Sequence, residues 1–285
     1  MNKSLNILIA PLDWGLGHAS RCVPIIELLL KNNCNVIIAA DKLPLKFLRE
    51  KFPRLNFVHL KGYNINYGKK FVALKVFFQL PKILFSIVNE HFWLHRIIKE
   101  KNITAVISDN RFGLWSKDAY TVFITHQIKI KLPKAFRIFE WPLYKLNVFA
   151  IEKFNECWIP DYEGTPNLTG ELSHLRKPPK NSKFIHPLSL FRFNSGVLKR
   201  SNKFTYEVLF ILSGPEPQRT LLEEKILQQL NQSPVRACLV RGTTNQTFVN
   251  SNSKNVKVIP FASSDKLLEL ISQSKVLICR AGYTT

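Results

Sequence analysis

The sequence predicts an α/β protein of two domains, each wound around a parallel β-sheet. Two observations carry this. Short apolar runs rich in Val, Ile and Phe alternate with longer helix-like patterns, the order expected of β-α-β units. The alternation breaks once, over residues 167–203, and then restarts. That stretch holds Pro178-Pro179, Pro187 and many lysines, with no acid after Glu171. A third point is length: 285 residues make about two domains at roughly 100–200 residues each. The expected division is 1–166, a linker over 167–203, and 204–285.

The elements follow in order. Leu5 to Ala10, Asn35 to Ala40, Leu55 to Leu60, Ala105 to Ser108, Thr121 to Thr125 and Cys157 to Pro160 read as short buried strands ending in turn residues. Helical patterns cover Ala19 to Lys31, Leu43 to Lys51 and the long stretch Phe71 to Lys101. After the linker come strands at Glu207 to Leu212, Val235 to Val240, Val256 to Pro260 and Lys275 to Cys279. Helices are expected at Arg219 to Leu230 and Asp265 to Ser272. The chain stops just after the last strand, in Arg280-Ala281-Gly282-Tyr283-Thr284-Thr285. A doubly wound domain ending there would leave apolar sheet uncovered, so the second domain is expected to be a truncated one.

Composition narrows the classes. With 46% apolar and 21% charged residues the chain can bury real cores. No apolar run approaches the ~18 residues of a membrane span. Cys22, Cys34, Cys157, Cys238 and Cys279 are odd in number, widely spaced and without a C-x-x-C pair. That argues against a disulfide framework or structural zinc and for a reduced, cytoplasmic protein. The net charge of +21 points to anionic partners: nucleic acid, anionic lipid or a phosphorylated substrate. A lysine-rich surface bias explains the same number.

Three strand-to-helix turns carry the chemistry. In the first, Gly15-Leu16-Gly17-His18 separates strand from helix. Glycine there permits positive φ and close backbone approach, and the helix start offers free N–H groups to an anion. The turn matches only part of a dinucleotide fingerprint. Asp41 stands where a ribose-binding acid could, but Pro11-Leu12-Asp13-Trp14 makes a long, bulky entry. A purely structural turn remains open. The second turn, Leu212-Ser213-Gly214-Pro215-Glu216-Pro217-Gln218-Arg219-Thr220, offers donors at Ser213, Gln218, Arg219 and Thr220. The third begins at Arg280. All lie at strand C-termini, where open α/β sheets bind ligands. So do Asp109, after the fourth strand, and His126, after the fifth, which makes both candidate site residues.

With these motifs in hand the chain resembles GT-B-fold glycosyltransferases of the family 28 type, which include the N-acetylglucosaminyltransferase of the lipid-linked peptidoglycan precursor and related glycolipid synthases. The resemblance rests on Gly15-Leu16-Gly17-His18-Ala19-Ser20-Arg21, on Leu212-Ser213-Gly214, and on Arg280-Ala281-Gly282 with Thr284. It implies two Rossmann-like domains facing a cleft. The first takes the acceptor at Gly15, Gly17, Asp109 and His126, and the second takes a nucleotide sugar. It implies His18 as general base or acceptor-phosphate ligand, and Ser213, Gly214, Gln218, Arg219, Arg280, Gly282 and Thr284 around the donor. It further implies an inverting transfer from a UDP-linked sugar such as N-acetylglucosamine to a lipid-linked acceptor. The first turn lacks the fuller glycine run of the peptidoglycan enzyme, and Pro215-Glu216-Pro217 differs from its second loop. The family's ribose-binding acid would fall beyond Thr285.

Such chemistry asks for a base near neutrality and for positive dipoles at the leaving diphosphate. No Asp-x-Asp triplet occurs, so no metal-dependent donor site and no cofactor are expected. Between Lys61 and Lys101 eight Lys and Arg stand against two Glu, interleaved with phenylalanine. This suits peripheral contact with an anionic inner membrane face over 69–101, and equally a helix pair burying Phe and showing Lys. Nucleic acid is not expected, because the lysines form no compact block and no binding motif appears. A nucleotide-sugar epimerase and a non-enzymatic anion- or lipid-binding protein remain as alternatives.

Overall fold

A computed structural model describes residues 5–65, 78–175, 177–189, 204–214, 216–243 and 253–280. The chain divides into two compact units, the first ending at Ser189. Gly282, Thr284 and residues 69–77 of the basic stretch lie outside the described residues.

The first unit is a seven-stranded, wholly parallel sheet. Its strands are β1 (Asn6–Pro11), β2 (Asn35–Ala40), β3 (Asn56–His59), β4 (Ala105–Asp109), β5 (Tyr120–Ile124), β6 (Glu156–Ile159) and β7 (Ser182–Phe184). They lie in the order β3-β2-β1-β4-β5-β6-β7. The central strands are buried after their first residue, as expected where helices cover both faces of a parallel sheet. The order reverses between β1 and β4, which pair from Ile7 with Ala105 to Pro11 with Asp109. Beyond that pair, at the strands' carboxyl ends, a doubly wound sheet leaves a crevice.

Among the described residues four helices cover the sheet: α1 (Leu16–Lys31), α2 (Lys42–Lys51), α3 (Leu80–Lys101) and α4 (Glu140–Ile151). Leu94, Ile97 and Ile98 of α3 pack on Leu8, Ala10, Ile37, Ala39 and Val106, alternate residues of three strands. Ile151 of α4 packs with Phe123, Phe154, Cys157 and Ile159. The expected linker is partly structured: β7 pairs with β6, so residues 167–189 belong to the first unit.

The β4–β5 connection, residues 110–119, has no helix. A buried polar brace holds it instead. Arg111 is fully buried, and its Nε donates to Glu90 Oε1 at 2.8 Å. Its Nη2 donates to the Lys61 carbonyl at 2.6 Å. Tyr63 Oη and the Gly113 N–H both donate to Glu90 Oε2. Burial raises the Glu90 carboxyl, while Arg111 and these donors oppose that rise.

The second unit is a parallel four-stranded sheet in the order β10-β9-β8-β11. Its elements are β8 (Tyr206–Ile211), α5 (Gln218–Leu230), β9 (Ala237–Val240), β10 (Val256–Ile259), α6 (Ser264–Ser272) and β11 (Ser274–Cys279). Leu227 and Leu230 of α5 pack with Leu239, and Leu270 of α6 packs with Leu209 and Val240. The sheet again reverses direction beside its first strand, between β8 and β11. Among the described residues no helix is long and apolar enough to cross a membrane, and none of the five cysteines is paired.

Candidate active site

Gly15 turns the chain from β1 into α1 with φ +107°, a backbone conformation natural only to glycine. The helix starts at Leu16, three residues before the apolar periodicity begins, so Gly17 and His18 stand in its first turn. No side chain caps this end and no acid lies in its first turn. Its N–H groups therefore keep their positive pole. A Cβ at Gly17 would meet nothing within 4 Å, so space is open beside the turn.

Opposite lies Asp109, the last residue of β4. Asn110 follows in the left-handed region at φ +57°, which bends the chain away at once. The carboxylate is fully buried. Arg21 donates to it twice, from Nε to Oδ2 at 2.7 Å and from Nη2 to Oδ1. His18 Nδ1 stands 3.2 Å from Oδ1, and the Cys22 thiol donates to Oδ2 at 4.0 Å. Burial pushes the Asp109 carboxyl up, but Arg21 and His18 outweigh it and hold the group down at about 2. Burial beside that charge pushes the Cys22 thiol up.

One turn of α1 brings His18 and Arg21 to the same face. Arg21 Nη2 also lies 2.9 Å from His18 Nδ1, and Arg21 Nη1 lies 2.9 Å from His126 Nδ1. A guanidinium only donates, so His126 accepts at Nδ1. Burial, then the Arg21 charge, depress His126 to about 4, which keeps it neutral. His18 Nδ1 can donate to Asp109 or accept from Arg21, but not both. When it donates, the ring presents a bare Nε2, and among the described residues no group bonds to that nitrogen. The His18 side chain is 15% exposed.

The structure thus joins His18, Asp109 and His126, from the ends of β1, β4 and β5, through Arg21. Arg21 belongs to the turn motif but is not among the expected site residues; its spacing of three residues from His18 is the signal for its place in the site. Asp161, after β6, closes a loop instead. It accepts from the N–H groups of Tyr162, Leu168 and Thr169, and the Thr169 hydroxyl at 2.5 Å. Asp41 caps α2 through the Lys42 N–H and accepts from the Gly62 N–H. Both of its oxygens are engaged, so in this structure Asp41 serves as the cap of α2 and a tie to the Gly62 backbone.

In the second unit Gly214 has φ +110°. A Cβ there would lie 1.9 Å from Nη1 of Arg280, which donates to the Ser213 carbonyl at 3.0 Å. The glycine is what lets the guanidinium cross the turn, so Ser213, Gly214 and Arg280 come together. Gln218 opens α5. Arg219 turns inward: its Nε donates to Glu216 Oε1 at 2.6 Å and its Nη1 to Glu223 Oε2. Glu223 also accepts from Arg241 Nε at 2.5 Å. Arg219 is therefore a buried link between α5 and β9, not a cation facing a ligand. Glu216 sits at the start of α5, accepting from the Thr220 N–H and hydroxyl.

No protein-family model matches the chain, and no curated protein is similar to it in sequence. Solved structures do share its fold. The spinosyn rhamnosyltransferase SpnG is similar over 98% of this chain and 76% of its own, at 16% identity and a TM-score of 0.59. A UDP-glucosyltransferase from Polygonum tinctorium capable of glucosylating indoxyl matches 100% of this chain and 77% of its own, at 12% identity and a TM-score of 0.56. A putative UDP-N-acetylglucosamine 2-epimerase from Listeria monocytogenes matches 99% and 75%, at 10% identity and a TM-score of 0.53. At such identities the likeness establishes the architecture: two parallel α/β units of Rossmann-like, GT-B type.

Proposed function

We propose that the protein transfers a sugar from a nucleoside-diphosphate donor, UDP-linked, to a hydroxyl of a lipid-linked acceptor, with inversion. The observation that carries this reading is the pairing of His18 with buried Asp109 where the first sheet reverses direction. In this reading His18 donates Nδ1–H to Asp109, and its Nε2 takes the proton of the acceptor hydroxyl. The oxygen then bonds to the anomeric carbon from the face opposite the diphosphate, which leaves with the electron pair of the broken bond. Asp109 stabilises the imidazolium that forms, as carboxylate partners of catalytic histidines do. Arg21 fixes Asp109 and keeps it ionised. The second unit carries its own candidate for holding a donor's diphosphate, the Gly214 turn with the Arg280 guanidinium.

The lipid-linked acceptor is supported by the surface of the first unit. Leu84, Phe85, Val88 and Phe92 of α3 are more than half exposed, as are Trp141 and Phe149 of α4. Lysines border them, with Lys145 over the Trp141 ring and Lys153 over Phe149. Rings with ammoniums at their margin suit an anionic membrane face, and we place the protein peripherally on such a face. The test is calorimetry with UDP-, GDP- and dTDP-sugars, followed by product analysis with a polyprenyl-phosphate-linked acceptor. Binding of one nucleotide and a glycosylated acceptor are expected. A donor sugar epimerised without acceptor, or no nucleotide binding, overturns the proposal.

A further inference from the structure

Helix α4 buries two of its side chains, Ile151 and Asn147. Ile151 joins the apolar core. Asn147 is 6% exposed, and an amide that deep needs partners. It finds them in the chain that leaves β5. Its Nδ2 donates to the Gln127 carbonyl at 3.3 Å and to the Ile128 carbonyl at 2.7 Å. An amide nitrogen carries two N–H bonds, so both contacts are made at once.

Those carbonyls belong to the two residues that follow His126. Residues 125–133 form no helix or strand, so individual bonds hold the segment. The Thr125 N–H donates to the Trp158 carbonyl at 3.1 Å, and the Gln127 N–H to Thr125 Oγ1 at 3.1 Å. The Ile128 and Lys129 N–H groups both donate to the Leu172 carbonyl at 2.9 Å. On the carbonyl side the anchor is Asn147. His126 is thereby set with Nδ1 2.9 Å from Arg21 Nη1, while Nε and Nη2 of the same guanidinium hold Asp109. A guanidinium is a rigid planar fork, so a shift of its Nη1 partner turns the other two donors as well.

We propose that Asn147 is a positioning residue of the candidate active site, acting through His126. Its amide fixes the chain after β5, so that His126 meets Arg21 and Arg21 keeps its double contact with Asp109. It touches no reacting atom. The contacts run from the amide to the 127–128 backbone, from His126 to Arg21, and from Arg21 to the carboxylate that pairs with His18. The charged and titratable groups that act on His126 are Arg21, His18, Asp109 and Asp161. Only the effect on turnover rests on the sugar-transfer reading; the placement of His126 is independent of it.

The experiment is ¹⁵N NMR of the full chain labelled at histidine, without substrate, with His126 assigned by its loss in His126→Gln. In the parent His126 accepts at Nδ1, so its neutral ring carries the proton on Nε2, a tautomer with its own pair of ¹⁵N shifts. Asn147→Leu is expected to lose that single-tautomer signature and to move the His126 midpoint from about 4 toward about 6.5. Where Asn147→Leu does not fold, Asn147→Asp keeps the volume, sets a carboxylate against the two carbonyls, and is expected to give the same loss. Tyr144→Phe removes a different bond of α4, from the Tyr144 hydroxyl to the Lys177 carbonyl, and should keep the parent's signature. Turnover of the Asn147 variant should fall by about 10²-fold, as for a displaced reacting group, with donor affinity unchanged. A parent chain that turns over no nucleotide sugar removes the transfer reading and leaves the spectra to decide this one. A His126 signature unchanged in the Asn147 variant, or lost equally in Tyr144→Phe, overturns the proposal.

Discussion

Consider replacing the buried Arg21–Asp109 pair stepwise with apolar side chains. Asp109 is 0% and Arg21 4% exposed, and two N–H···O contacts join them. Asp109→Leu leaves a guanidinium without its carboxylate in the interior, and Arg21→Met leaves the carboxylate without its guanidinium. Breaking a buried pair from one side costs about 3–5 kcal/mol, because the remaining charge stays desolvated. Removing both together is expected to cost at most about 1–2 kcal/mol, since apolar replacements of such pairs are often near neutral. The double variant should thus be more stable than either single one. All five tryptophans, Trp14, Trp93, Trp115, Trp141 and Trp158, precede Ser189. Urea unfolding followed by tryptophan emission therefore reports the first unit alone. Single substitutions that each cost under about 1 kcal/mol, or a double variant whose loss equals their sum, would refute the reasoning that desolvation governs this site.

Stability should also depend on pH with a definite sign. His126 titrates at about 4 in the fold against about 6.5 unfolded, so between those values the unfolded chain holds the extra proton. The contribution is full above about 6.5 and is lost as pH falls toward 4, at about 1.4 kcal/mol per pH unit where one proton is taken up. His126→Asn should flatten that limb, measured by urea midpoints from pH 7 to 4, and an unchanged limb counts against it. Asp109 and Asp161, both held at about 2, add a second loss as pH falls from about 4 to 2. Gly214→Ala strains a backbone at φ +110° and drives a methyl into Arg280. It should weaken nucleotide binding at least about tenfold by displacing that cation, and calorimetry showing unaltered affinity contradicts the role given to the turn. Phe85→Ser with Phe92→Ser should lower sedimentation with phosphatidylglycerol vesicles several-fold by removing two exposed rings from the membrane-facing surface. Equal sedimentation would remove the membrane contact.

Much of the fold was legible because parallel strands buried on both faces are written as unbroken apolar runs. Asn35 to Ala40 is identical in sequence and structure, and β1, β4, β5 and β8 differ by a residue or so. Among the described residues one α-helix and one strand were not legible, nor were the short 3-10 turns Lys134–Phe139 and Gly170–Leu172. Glu140–Ile151 is apolar around most of its circumference, so no helical period stands out, and Trp141, Leu146 and Phe149 remain exposed. The strand Ser182–Phe184 is three residues long and sits in a lysine-rich stretch that reads as linker. Within the site, position at strand ends identified Asp109 and His126, because the sheet's direction decides where ligands can bind. The partner that joins them, Arg21, lies on a helix, where an arginine ordinarily reads as a solvated charge. Arg219 failed in the opposite sense: a cation at a helix start reads as a ligand contact, but Glu216 and Glu223, three residues before it and four after, turn it inward.

The central claim is that His18, oriented by Asp109, takes the acceptor's proton. The most direct measurement is the rate of nucleoside diphosphate release from the donor that binds, in the presence of acceptor, for the parent chain and for His18→Ala. Arg21 still donates twice to Asp109 when the His18 ring is removed, so the variant should bind donor as the parent does and unfold within about 1–2 kcal/mol of it. Its turnover should fall by about 10²–10⁴, the usual contribution of a positioned general base. A variant that turns over at the parent's rate would contradict the account, and the Gly15-Leu16-Gly17-His18 turn would then serve the fold alone.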